Sequence, residues 1–379
     1  MESTTATSLK KDISLFILLF VNFVFVFKYG SRLTPYAPLI GLAVALVQFG
    51  IWKKRDFLAT FSNKLNWADA AVLAIFIAGA AIIFNKVPVE TLNVDRWSVI
   101  TSFWDNYFEG KYVYYAKSHM GNPPGPMPVY YILALPFYLM GELGFFSLLG
   151  IVAFYVLSRY TIPRAYSSLA LLLLCSSVFY MWEVTCRSNI LINGTLVLAS
   201  IVYFYNDGIT NKYKHLIITG ILTGLCLSTR NVFAIPYIIS FLYALTYKKV
   251  SFVNLIMVGC IALFVMALSF VPFVYNHVED FKAMNPFIIQ GSYLMPFSYT
   301  LIFIALAFVF AFLCRKKEDV YFYSGLVLFL TIVFYFGYHT VNSGFNAAVH
   351  DSRADNSYFI LCIPFSLYYL LLPDSRQLK

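Results

Sequence analysis

The chain has 379 residues, of which 60% are hydrophobic and 12% charged, with 38 Phe and 29 Tyr; an ordinary soluble domain carries about 25% charged residues. No polar segment exceeds about forty residues, too short for a sizeable extramembrane core, so one membrane-embedded unit is expected. The formal charge of +9 points to nucleic acid or an anionic surface only if it is not explained by topology.

Apolar stretches of about 17–25 residues bounded by charge predict spanning helices. They fall near 13–29, 35–52, 67–85, 144–158, 163–181, 190–206, 215–229, 231–247, 252–274, 297–314, 321–338 and 358–373, with a further apolar piece at 128–141. The expected fold class is all-α: a polytopic integral membrane protein of about 11–13 transmembrane helices, with extracytoplasmic interfacial helices. A cytoplasmic N-terminus places Lys10/Lys11, Lys53/Lys54/Arg55/Lys64, Arg159/Arg164, Lys212/Lys214, Lys248/Lys249, Arg315/Lys316/Lys317 and Arg376/Lys379 inside, as the positive-inside rule requires. On this topology seventeen basic and eight acidic residues lie inside, ten of each outside, and the C-terminus is also cytoplasmic. The basic excess therefore marks orientation in a plasma or inner membrane, together with anionic lipid on the inner leaflet, and gives no reason to expect nucleic acid.

Lys28-Tyr29-Gly30-Ser31-Arg32 follows the first apolar segment without an A-x-A-like cleavage site, so that segment reads as a retained anchor. Five of the six cysteines fall within spans, Cys186 being the exception, which argues against a disulfide framework or a CxxC metal site. Asn193-Gly194-Thr195 matches the glycosylation sequon but lies inside a predicted span, where no oligosaccharide can be attached.

Charges avoid the span centres, unlike the buried relays of ion-coupled transporters. They collect in four outer-face segments: 86–127, 182–189 with Arg230, 275–296 and 339–357. In the longest, Trp97, Ile100, Phe103, Trp104, Tyr107 and Phe108 recur at helical spacing after Asp95, the pattern of an interfacial amphipathic helix. Glu109-Gly110-Lys111 ends it, and Pro123-Pro124-Gly125-Pro126-Met127-Pro128 forces an extended turn before a second interfacial helix at 129–141.

This arrangement resembles the GT-C superfamily of membrane glycosyltransferases, which includes protein O-mannosyltransferases and lipid A aminoarabinose transferases. The resemblance covers roughly residues 67–373. It rests on Asp95 after a span, an aromatic-rich helix, Glu109-Gly110-Lys111-Tyr112-Val113-Tyr114, Pro123-Pro124 followed by Tyr130/Tyr131, Pro136 and Gly141-Glu142. Glu183 through Asn189, Gly224 through Arg230 with Pro236, and Asp351-Ser352-Arg353 through Tyr358 and Pro364 continue it. The acidic loop usually follows the first span in that family and here follows the third, which makes residues 1–66 an N-terminal two-helix addition to a 67–379 module whose outer platform is 86–141. Many members carry two adjacent acidic residues, whereas here Arg96 follows Asp95.

The resemblance implies a glycosyltransferase, of hexose or pentose and with inversion. Its partners would be a polyprenyl-phosphate-linked sugar donor, membrane lipids and a lipid, glycan or protein acceptor. Inverting transfer onto a phosphate leaving group needs one carboxylate as base, for which Asp95 is the candidate; as a bland alternative it is an N-cap. Guanidinium groups suit the departing phosphate. Arg187, Arg230 and Arg353 are candidates, backed by Lys111 and Lys117, though each Arg also reads as a headgroup anchor. Glu183, Tyr114, His350 and Asp351 are candidates for the acceptor or sugar; Glu183 also reads as an i,i+4 partner of Arg187. Mg²⁺ or Mn²⁺ suits a carboxylate with a phosphate, with Asp95 as a candidate ligand, but no ligand cluster demands a metal. Two other functions stay open: a transporter or flippase for a lipid-linked saccharide, and a polysaccharide polymerase or ligase.

Overall fold

A computed structural model describes residues 4–64, 67–210, 212–293, 295–350 and 353–373. Among these the chain is helical, with no strand. The α-helices, in order, are α1 (Thr4–Phe25), α2 (Ala37–Lys53), α3 (Arg55–Lys64), α4 (Ala68–Lys86), α5 (Arg96–Phe108), α6 (Pro128–Leu139), α7 (Gly144–Thr161), α8 (Arg164–Cys175), α9 (Val178–Thr185) and α10 (Ile190–Asn206). They continue as α11 (Tyr213–Leu227), α12 (Ala234–Thr246), α13 (Phe252–Val274), α14 (Val278–Ala283), α15 (Pro286–Tyr293), α16 (Phe297–Leu313), α17 (Lys317–Ser343), α18 (Phe345–Val349) and α19 (Ile363–Leu371).

Among the described residues, five helical segments are long and apolar enough to cross a membrane: Ala6–Gly30, Ala68–Lys86, Gly144–Thr161, Phe252–Val274 and Lys317–Ser343. α8 and α9 together make a sixth, bent by 64° at their junction, and seven further apolar helices have 10–17 residues. The predicted 163–181 segment is thus two helices. In hydrocarbon a helix break must have its freed backbone groups satisfied from within the protein. Two polar side chains in the C-terminal halves of α1 and α2 do this. Asn22 Oδ1 accepts from the Val178 amide (2.8 Å), and its Nδ2 donates to Gln48 Oε1 (3.1 Å). Gln48 Nε2 donates to the Leu173 carbonyl (3.1 Å) and to Ser177 Oγ (3.0 Å). Asn22 and Gln48 are fully buried.

α1 lies in the core against α2, α17 and α19 and is tied down at both ends. Lys10 pairs with buried Asp319 at 2.7 Å. About eighteen residues on, or about 27 Å at helical rise, a π-helical turn at Val26–Gly30 carries Lys28, whose Nζ donates to the Ala354 carbonyl (2.8 Å). Small residues set the closest helix approach. Gly220 and Gly224, four apart on α11, face α13, where a Cβ on Gly224 would lie 2.4 Å from the Ala262 carbonyl, the small-xxx-small device of membrane helix packing.

Candidate active site

The predicted surface helix forms as α5. Its aromatic stripe points into protein: Ile100, Phe103 and Trp104 are buried, and Phe103 stacks on Tyr131 of α6 at 3.7 Å. The proline turn leads into α6, and its end is held by the C-terminal end of α11, because the Met127 and Val129 amides donate to the Thr229 and Ser228 carbonyls. α15 holds the middle of the turn through a bond from Gln290 Nε2 to the Gly125 carbonyl (2.7 Å).

These elements enclose a cavity of about 390 Å³. Its charged lining is Lys28, Arg96, Arg230 and Arg353 against Asp95 and Asp355. Its apolar lining includes Val99, Val232, Ile289, Met295, Ile332 and Leu361. A cationic recess beside an apolar wall suits an anion that carries a hydrocarbon tail.

Asp95 sits at the N-cap of α5, yet its side chain caps nothing. Oδ2 accepts from Ser118 Oγ (2.8 Å) and Asn122 Nδ2 (2.7 Å), and Oδ1 has no hydrogen-bond partner among the described residues. Ser118 and Asn122 are brought together by a turn in which the Gly121 amide donates to the Ser118 carbonyl. Gly121 has φ +81°, a conformation that favours glycine. Behind it His119 Nδ1 bonds Ser98 Oγ (2.7 Å) and stacks on Trp97.

Arg230 is 8% exposed, and its Nε and Nη2 have no hydrogen-bond partner among the described residues. Its guanidinium carbon lies 5.1 Å from the centre of the Tyr130 ring and 5.8 Å from that of Tyr358. Arg96, also over Tyr358, forms an ion pair with Asp355 and donates to Ser357 Oγ (2.6 Å). Burial opposes the Arg96 charge, but the neighbouring Tyr358 and Asp95 outweigh it, so its pKa lies above the usual value. Arg353 is exposed at the cavity wall. Its carbonyl accepts from Tyr335 Oη (3.4 Å).

Of the candidate catalytic and binding residues read from the sequence, the cavity unites Asp95, Arg230 and Arg353. The others lie elsewhere or outside the described residues. Arg187 is buried against Glu142 (Nε to Oε1, 3.1 Å) and also donates to the Thr185 and Phe84 carbonyls. It lines a separate cleft with Trp97 and Asp105. The i,i+4 pair with Glu183 does not form; Glu183 is buried and accepts from the Leu191 amide (2.9 Å) at the start of α10. Arg187 has φ +54°, which turns it away from the helical position that such a pair assumes.

Lys111 pairs with Glu109 on the surface, and Lys117 is exposed; neither lines the cavity. Tyr114 is a core residue supporting the proline turn through a long bond to the Pro126 carbonyl (3.5 Å). His350 is exposed and offers its carbonyl to Arg32. Asp351 lies outside the described residues.

Sequence reasoning missed Lys28, Arg96, Asp355, Ser118 and Asn122. For the last two a signal was present: Ser-His-Met-Gly-Asn puts two amide or hydroxyl donors either side of a glycine. A divalent cation does not fit this cavity well. Asp355 is engaged by Arg96, which leaves Asp95 as the one available carboxylate among four cationic side chains, and no group of three or more metal-ligating residues converges among the described residues. No protein-family model matches this chain, and neither a curated protein nor a solved structure matches it.

Proposed function

We propose that the protein is a membrane glycosyltransferase that moves a sugar from a polyprenyl-phosphate-linked donor to an acceptor hydroxyl at the extracytoplasmic face. The observation that carries this reading is one cavity in which the Asp95 carboxylate shares the lining with Arg230, a buried guanidinium whose Nε and Nη2 have no hydrogen-bond partner among the described residues. The acceptor hydroxyl attacks the anomeric carbon, and Asp95 takes its proton as the new C–O bond forms. The bond from the anomeric carbon to the phosphate oxygen breaks on the opposite side, and Arg230 and Arg353 hold the departing phosphate. The apolar wall formed by Val232, Ile289, Met295 and Ile332 is where the lipid chain would lie.

The bent pair α8–α9 is what a transporter reading would claim, since broken helices line transport sites. None of its residues lines the cavity, and its break is filled by Asn22 and Gln48.

The test is sugar transfer by purified protein in nanodiscs, from a panel of radiolabelled polyprenyl-phosphate sugars to membrane-derived acceptors. Transfer by the wild type and none by Asp95→Asn is the expected result. Translocation of the donor across proteoliposomes without transfer would overturn the reading in favour of a flippase.

A further inference from the structure

Four basic side chains are buried among the described residues: Lys10, Lys28, Arg187 and Arg230. Two are neutralised, Lys10 by Asp319 and Arg187 by Glu142. The two that form no ion pair, Lys28 and Arg230, both line the cavity that holds Asp95. A buried cation lacking a counter-charge is costly, and the place where two of them meet is where the protein calls for an anion. Lys28 is 0% exposed. Its contacts are the Ala354 carbonyl and, 5.7 Å away, the Tyr29 ring. Ala354 lies between Arg353 and Asp355, so Lys28 is fastened to the cavity wall itself. The turn that carries it is π-helical, a distortion common at functional sites.

Formal charges sharpen the point. Arg96 and Asp355 cancel, leaving Arg230 and Arg353 against Asp95, one formal positive charge, to which Lys28 adds a second when it is protonated. On the reading proposed above, the donor is a phosphodiester with one negative charge. The phosphate monoester left after transfer carries about two, since the second pKa of such an ester is about 6. Each positive charge on the wall favours a dianion over a monoanion, and Lys28 adds one to those of Arg230 and Arg353. Favouring the species formed at the end of bond breaking over the bound donor is what accelerates a reaction.

We propose that Lys28 tunes the cavity to a phosphate dianion, the departing lipid phosphate monoester, over the phosphodiester donor. This rests on the proposed function but is tested apart from it, by binding. Wild-type protein in nanodiscs is titrated with farnesyl phosphate, with its methyl phosphodiester and with inorganic phosphate. The monoester is expected to bind about tenfold more tightly than the diester, from one extra charge in a shielded site. Lys28→Gln, which keeps a donor for Ala354, should bring the two within about twofold by weakening the monoester alone, and Lys28→Arg should restore the preference. Thermal unfolding checks that each variant folds. If Lys28→Gln does not fold, the decision rests on the wild-type ratio and on Lys28→Arg.

No preference in the wild type, or an unchanged ratio in Lys28→Gln, overturns the assignment. Inorganic phosphate binding as well as farnesyl phosphate would keep the dianion assignment and remove the lipid from the proposed function. A Lys28-dependent preference without any sugar transfer would likewise overturn the function and not the role of Lys28.

Discussion

Asp95 stands at the N-cap of α5, but its carboxylate accepts from Asn122, 2.7 Å away, and from no amide of its own helix. The bland and functional readings of this residue therefore separate experimentally. A capping Asp loses about 1 kcal/mol when replaced by Ala. Here Asp95→Asn and Asp95→Ala are both expected to leave the unfolding midpoint nearly unchanged, while lowering sugar transfer by a factor of about 10³ or more. Asn122→Ala should give a milder loss, about tenfold, by releasing the carboxylate from its position. Full transfer in Asp95→Asn would remove it as the base.

Arg187 and Arg230 have similar sequence surroundings and opposite electrostatics. Arg187→Gln breaks a largely buried pair with Glu142 and should destabilise by about 2–4 kcal/mol. Arg230→Gln removes a buried charge that forms no ion pair, so its stability should hold or rise. Its transfer rate should fall about 100-fold or more. Denaturation in detergent alongside a transfer assay reads both, and loss of stability in the Arg230 variant alone would reverse this assignment.

At the break between α8 and α9, Gln48→Leu should destabilise the protein by about 1–3 kcal/mol, because the Leu173 carbonyl and Ser177 lose a donor in an apolar setting. Asn22→Leu should act similarly, and the double variant should cost less than the sum, since the two side chains bond each other. Strict additivity would show that they do not work as one unit.

Gly224 and Gly259 make a paired test. A methyl group at Gly224 would meet the Ala262 carbonyl, whereas nothing lies within 4 Å of one at Gly259. Gly224→Ala is expected to cost about 1–3 kcal/mol by forcing α11 from α13. Gly259→Ala should be neutral or stabilising by up to about 1 kcal/mol through helix propensity. Equal midpoints would show that the approach of the two helices is looser than described.

Much of the helical layout is legible because burial in hydrocarbon leaves a one-dimensional signature. The apolar runs at 190–206 and 252–274 coincide with α10 and α13, and the proline turn ends at Pro128, the first residue of α6. The break within 163–181 is not legible, because Ser176 and Ser177 alone do not stop a helix. The break depends on Asn22 and Gln48, more than a hundred residues earlier in the chain. Arg187 was misread for a related reason: its carboxylate partner, Glu142, lies 45 residues away, where spacing along one helix carries no information. Lys28 looked like one more boundary charge. Its depth shows only when the 353–357 segment is folded over it.

The two lysines of the first spanning segment, Ala6–Gly30, also bear on how this chain can vary. Lys10 must reach Asp319, and Lys28 must reach Ala354, so the stretch between them is gauged at both ends. One residue added or removed there would turn one lysine about 100° relative to the other, sending it into lipid or into a neighbouring helix. Side chains along the interval can be exchanged for other apolar ones, but its length cannot drift, so insertions and deletions should be confined to the loops that follow.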